Sequence, residues 1–220
     1  SNEPRHNVQF SRRFALGRTE VTQEQYAAIT GEYPSWERGP LHPVEHVSWL
    51  DAIRFANAAS VANGLVPCYQ VRNLPVTQPF GVNCAGYRLP SESEWEVAAR
   101  ADQSFRYAGS NDLESVAWFK DNSIGVSHNV AGLAPNDWGL FDMSGNVMEW
   151  TWDAPGFYSE EDLIDSMGAE RVEMGHAILR GGSWYSYPNE TRVAHRFFVE
   201  ITENRPEIGF RLARTLFDAP

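Results

Sequence analysis

Helix-start signals occupy the first hundred residues of this chain and then stop, and that asymmetry limits what it can fold into. Thr22 precedes an apolar run with Gln25 three positions on, the capping-box spacing, and Tyr26, Ala27 and Ile29 follow before Gly31 ends the helix. Ser48 opens a second helix, with Asp51 in its first turn, Ile53, Ala56 and Ala59 on one face, and an end near Asn63-Gly64. Ser91-Glu92-Ser93-Glu94 is another capping box, and Trp95, Ala98 and Ala99 supply its buried stripe. Beyond Arg100, short apolar pieces alternate with Gly, Asn, Asp and Pro turns. The division predicts an α+β fold with low regular secondary structure, helices in the first half and short strands in the second.

The strand expectations are local. Val8-Gln9-Phe10, Phe14-Ala15-Leu16-Gly17, Ala177-Ile178-Leu179-Arg180 and Gly209-Phe210-Arg211-Leu212 read as strands, the last two in the core. Residues 33–44 are rich in Pro and Gly and read as an irregular connection. Cys68 and Cys84, the only cysteines, bracket a hairpin or Ω-like loop, and neither has redox Cys-x-x-Cys or zinc-site spacing. One disulfide closing that loop is the preferred reading and implies an extracytoplasmic location, periplasmic, cell-surface or secreted. Two reduced, buried thiols in a cytosolic protein are the alternative. The acidic run between Asp153 and Gly175, with Glu160-Glu161-Asp162, Asp165, Glu170 and Glu173, reads as a solvated face.

A chain of 220 residues with 42% hydrophobic and 13% aromatic content predicts a single domain, 1–220, with its core over about 8–214. A formal charge of −11 argues against nucleic acid, whose recognition needs clustered Lys and Arg. No apolar run is long enough to cross a bilayer and no signal peptide starts the chain, which reads as a soluble fragment or mature form.

Six motifs occur in order: Thr19-Glu20-Val21-Thr22, Pro43-Val44-Glu45-His46-Val47-Ser48-Trp49, Tyr87-Arg88-Leu89-Pro90-Ser91-Glu92-Ser93-Glu94-Trp95-Glu96, the stretch from Asn136 to Trp150, Arg180-Gly181-Gly182-Ser183-Trp184, and Gly209-Phe210-Arg211. As an ordered set they resemble the formylglycine-generating enzyme (sulfatase-modifying factor) domain, a relative of the C-type lectin fold, across about residues 8–214. The resemblance implies copper-dependent oxidation of a substrate cysteine by a cysteine pair placed shortly after Gly-Gly-Ser-aromatic. Here that run reads Tyr185-Ser186-Tyr187-Pro188-Asn189-Glu190-Thr191-Arg192, with Ser186 about where the first cysteine belongs. A serine hydroxyl does not replace a thiolate on soft Cu(I), so no copper is expected. Iron-dependent sulfoxide synthesis, another activity on this fold, needs a histidine cluster on a separate helical domain. The nearest pair, His42 and His46, is interrupted by Pro43 and reads as structural or surface histidines.

Asp142 and Glu149 supply hard carboxylate oxygens, and the turn between them can direct the Gly145 and Val147 carbonyls to the same point, a donor set suited to Ca²⁺. The resemblance places a structural calcium on the matching positions; carboxylates capping backbone amides are the alternative. Ser183 lacks a nucleophile-elbow context and reads as a structural hydroxyl.

Trp184, Tyr185, Ser186, Tyr187, Asn189, Glu190, His195, Arg196, Phe197 and Phe198 mix aromatic with polar side chains, a composition typical of binding surfaces; ordinary core packing of the aromatic members is the alternative. The expectation is a non-catalytic module presenting residues 185–207 to a protein, peptide or small-molecule ligand. Variable proteins of diversity-generating retroelements, to which this region is similar, use it as a receptor surface, and related domains serve in sensing. Two rivals stand beside it. One is an oxidoreductase modifying a peptide or natural product without the cysteine pair, with Tyr187, Glu190, His195 and Arg196 as candidates. The other is a purely structural subunit.

Overall fold

The computed structural model describes residues 8–71, 76–156, 163–165 and 175–217. Each expected helix begins at its expected cap. Thr22 and Gln25 exchange side-chain and backbone hydrogen bonds ahead of α1 (Gln23–Thr30), which ends on left-handed Gly31. Ser48 and Asp51 do the same for α2 (Trp49–Ala62), so Asp51 completes a capping box as well as carrying first-turn charge. Ser91 and Glu94 open α3 (Glu92–Arg100). Each reciprocal pair satisfies amides that the first helical turn leaves without partners.

Among the described residues nine short strands form three small sheets. β1 (Val8–Gln9) runs parallel to β5 (Leu163–Ile164). β2 (Arg13–Leu16) and β3 (Tyr87–Arg88) flank β9 (Ala213–Leu216). The third sheet has the order β7-β6-β4-β8, from β4 (Met148–Trp150), β6 (His176–Arg180), β7 (Phe197–Glu200) and β8 (Ile208–Gly209). The expected strand from Gly209 to Leu212 is corrected: β8 stops at Gly209 and β9 starts at Ala213. Between them the Phe210 and Leu212 carbonyls accept from Val21 and Gly17, so the chain crosses from one sheet to another. Of the acidic run, Glu160, Glu161, Asp162, Glu170 and Glu173 lie outside the described residues; Asp165 accepts from the Ser11 amide at 2.8 Å.

The main core packs α2 against these sheets, with Phe55 stacked on Tyr26 at 5.1 Å and edge-on to Phe210 at 5.4 Å. Three fully buried arginines tie the motifs together. Arg88 pairs with Glu94, Arg180 with Glu92 and Glu96, and Arg211 with Glu149, at 2.6–2.7 Å. The motif spacing therefore records buried ion pairs, each arginine meeting its carboxylate bidentately or two carboxylates at once. Cys68 and Cys84 form a disulfide, and Gln70 bridges Thr77 antiparallel inside the loop it closes. A loop of that length gains about 3 kcal/mol from the cross-link in the chain-entropy account. Among the described residues no helix is long and apolar enough to cross a membrane.

Candidate functional site

β6 delivers the chain to Gly181 and Gly182, both left-handed (φ +92° and +70°), a conformation open to glycine at no steric cost. The turn that follows is pinned from several sides. Trp184 N donates to Asn146 O at 2.7 Å, Ser123 Oγ to Trp184 O at 2.8 Å, and Lys120 N to Ser186 O at 3.1 Å. Ser186 is buried, and its hydroxyl accepts from Ser183 N at 3.1 Å. Tyr187 N donates to the Glu190 carboxylate at 2.7 Å, closing the next turn.

These turns, with β4, β6 and the 205–207 approach to β8, enclose an open cavity of about 260 Å³. Met148, Leu179, Gly182 and Ser183 contribute to its lining, as do the rings of Tyr185, Tyr187 and Phe197, each 41–59% exposed. Ser186, Glu190, His195, Arg205 and Glu207 complete it.

Six of the ten expected ligand-binding residues come together there: Tyr185, Ser186, Tyr187, Glu190, His195 and Phe197. Trp184 instead lines a neighbouring cleft with Trp36 and Pro206. Phe198 packs edge-on to His176 at 6.2 Å, because adjacent strand residues face opposite ways along β7. The Asn189 carboxamide oxygen accepts from Arg106 and Arg192. Arg196 is drawn inward: its guanidinium meets both Glu92 oxygens at 2.6 and 2.8 Å and its side chain is 9% exposed. Sequence reasoning missed Arg205 and Glu207 as individual residues, and also Lys120, whose ammonium lies 4.0 Å from the Tyr187 ring centroid and 5.0 Å from that of Tyr185. Lys120 is 65 or more residues from either ring in sequence, so no local pattern announces it.

The sequence family described as the sulfatase-modifying factor enzyme 1-like domain matches residues 1–216. The chain belongs to it. Chaperone protein LppX of Paenibacillus barcinonensis is 31% identical to this sulfatase-modifying-factor-like chain, over 92% of the chain and 80% of that protein. The formylglycine-generating enzyme of Streptomyces coelicolor is 32% identical over 79% of the chain, which spans 53% of that enzyme's length. Among solved structures, Treponema denticola variable protein 1 superposes with a TM-score of 0.89 at 32% identity, covering 95% of this chain and 86% of its own. The fold is the formylglycine-generating-enzyme, C-type-lectin-like one.

The metals this family implies can be tested against the side chains present. Copper(I) held by two thiolates does not fit: the only two cysteines are joined to each other, and the site offers a buried serine hydroxyl. Calcium between Asp142 and Glu149 does not fit this geometry either. Glu149 accepts from Arg211 Nε and Nη2 at 2.6 and 2.7 Å and from Trp95 Nε1 at 2.8 Å, so a guanidinium stands on the carboxylate a cation would need. Asp142 accepts from Ala131 N at 2.7 Å. Among the described residues no group of three His, Cys, Asp or Glu side chains is arranged to hold a metal ion.

Glu20 is the unexpected member of this buried group. Its oxygens accept from Asn146 Nδ2 at 3.0 Å and Val147 N at 3.1 Å. Burial, then the charges of Asp142 and Glu149, hold its pKa well above the usual carboxylate range against the pull of Arg211. Burial raises Asp142 too. A carboxyl whose folded pKa is raised contributes stability that is complete below its unfolded pKa and is lost as pH rises through the folded value. Unfolding free energy from urea titration is therefore expected to fall as pH rises above the ordinary carboxylate range, and Glu20→Gln to flatten that fall by about 1 kcal/mol or more. His42, whose pKa burial lowers, pulls the opposite way in the same window, so the comparison with Glu20→Gln isolates the carboxyl. An unchanged slope in the variant would refute the assignment.

Proposed function

We propose that this chain is a binding module whose ligand, a protein or peptide, seats in the 185–207 cavity against its aromatic rim. One observation carries the reading. Where the family's enzymes place their first redox cysteine, Ser186 is buried and closes a turn, while Tyr185, Tyr187 and Phe197 stand half exposed around an open cavity. Rigid rings of this kind give large contact area with little rotamer entropy to lose. Relatives named a variable protein and a chaperone protein support a recognition role, and the disulfide supports an extracytoplasmic setting.

Panning a displayed random-peptide library on the immobilised chain tests this. Selected peptides should lose about tenfold or more in affinity on Tyr187→Ala or Phe197→Ala. Phe198→Ala, on the other face of β7, should change affinity less than about twofold. Absence of any saturable binder, or equal losses at Phe197 and Phe198, would overturn it. A second reading, oxidation of a peptide or natural product without a cysteine pair, draws on the gathering of Tyr187, Glu190 and His195 in the same cavity. Oxygen consumption dependent on an added peptide would favour it.

A further inference from the structure

The charges around the 185–207 cavity are unevenly matched. Glu190 and Glu207 both line it. Arg205 is the lining guanidinium, and its Nε already donates to Glu203, which is not in the lining, at 2.8 Å. His195 adds positive charge only when protonated. The lining thus holds two carboxylates, of which Glu190 has one oxygen on the Tyr187 amide, against one guanidinium whose Nε is on Glu203, on a chain whose net charge is −11. The walls are the rings of Tyr185, Tyr187 and Phe197. Aromatic faces beside carboxylates attract a cation through the ring quadrupole and the charge together.

The molecule already shows this chemistry once. Lys120 seats its ammonium over Tyr187 and Tyr185 and donates to the Tyr187 hydroxyl at 2.8 Å. The lysine is half-buried, and the charge of Asp121 acts on its ammonium beside the two tyrosines.

We propose that the group entering the cavity is a cationic side chain of the bound polypeptide, lysine or arginine, caged by Tyr185, Tyr187 and Phe197 with Glu190 and Glu207, and that Lys120 competes with it for the tyrosine faces. A cavity of about 260 Å³ lies below the span of roughly 300–1,000 Å³ usual for small-molecule sites and suits a single side chain. This inference rests on the reading of the cavity as a polypeptide-binding site and deepens it.

The test uses acetyl-Gly-X-Gly-amide tripeptides with X as arginine, lysine, citrulline, norleucine or glutamate, followed by amide chemical shifts of the labelled chain. Arginine or lysine should bind at least about fivefold more tightly than citrulline or norleucine, and glutamate most weakly. The order of arginine and lysine decides between a guanidinium and an ammonium. Glu207→Gln should erase the preference for charge while leaving the fold intact, since it is the Glu207 backbone carbonyl that accepts from Met148. Lys120→Met should strengthen binding of the cationic tripeptides about threefold or more, by clearing the rings and removing a like charge. Citrulline equal to arginine, glutamate preferred, or weaker binding in Lys120→Met would each overturn the inference. Library peptides that depend on Tyr187 and Phe197 but carry no cation would sink it while the binding-module reading stands; failure of every library peptide would sink both.

Discussion

Arg211→Met is expected to lower the unfolding free energy by about 3–5 kcal/mol in urea titrations, the range for removing one partner of a buried ion pair. The guanidinium is wholly buried and serves four acceptors: both Glu149 oxygens, Gly17 O at 2.9 Å and Phe141 O at 2.8 Å. Methionine replaces the stem but none of the donors. It leaves the Glu149 carboxylate without its counter-ion, beside Glu20 and Asp142, whose charges also act on Arg211. Glu149→Gln should be milder, because the arginine it strands still faces those two carboxylates. A pH signature separates lost charge from lost packing. With the cation gone, Glu20 and Asp142 lose the charge that pulls their raised pKa values down, so the variant should recover stability as pH falls toward the ordinary carboxylate range. A melting temperature within about 2 °C of the parent at pH 7 would show that the pair contributes little.

That arginine also shows why some of this fold is legible in sequence and some is not. A capping box spans four consecutive positions, so Thr22-Gln25, Ser48-Asp51 and Ser91-Glu94 announce the three helix starts without reference to the rest of the chain. The buried pairs are as decisive for the fold, but Arg211 and Glu149 sit 62 positions apart and Arg180 and Glu92 sit 88 apart, where no periodicity links them. Family motifs mark that these residues matter; only the structure says what each one holds. The site divides the same way. Composition points to the 185–207 stretch, and six of its ten named residues line one cavity, yet it cannot divide Phe197 from Phe198, since that depends on the register of β7 against β6. It also cannot see Glu92 drawing Arg196 out of the site, or Glu20 closing on the Val147 amide from 127 positions away.

Gly145→Ala should destabilise the protein by about 2–5 kcal/mol, the sum of a left-handed alanine and an overpacked core. Gly145 has φ +82°, and a Cβ there would lie 2.2 Å from Trp118 O and 2.9 Å from the Trp118 carbonyl carbon and nitrogen. These are backbone atoms and cannot swing aside as a side-chain tip would. Three segments cross at this point: Gly145 N donates to Gly181 O, Asn146 N to Trp118 O, and Trp184 N to Asn146 O, at 2.7–2.9 Å. A displaced Trp118 backbone therefore moves the Asn146 carbonyl that holds Trp184, and with it the turn carrying Tyr185 and Tyr187 into the cavity. Peptide affinity should weaken in the folded fraction as well as the fraction folded. Gly139→Ala is the control, since Gly139 has φ +75° with nothing within 4 Å of an added Cβ. It should show only the conformational penalty, about 1–2 kcal/mol, with binding unchanged. Equal losses at the two glycines would mean that the crossing relaxes around an added methyl and does not set the position of the binding turn.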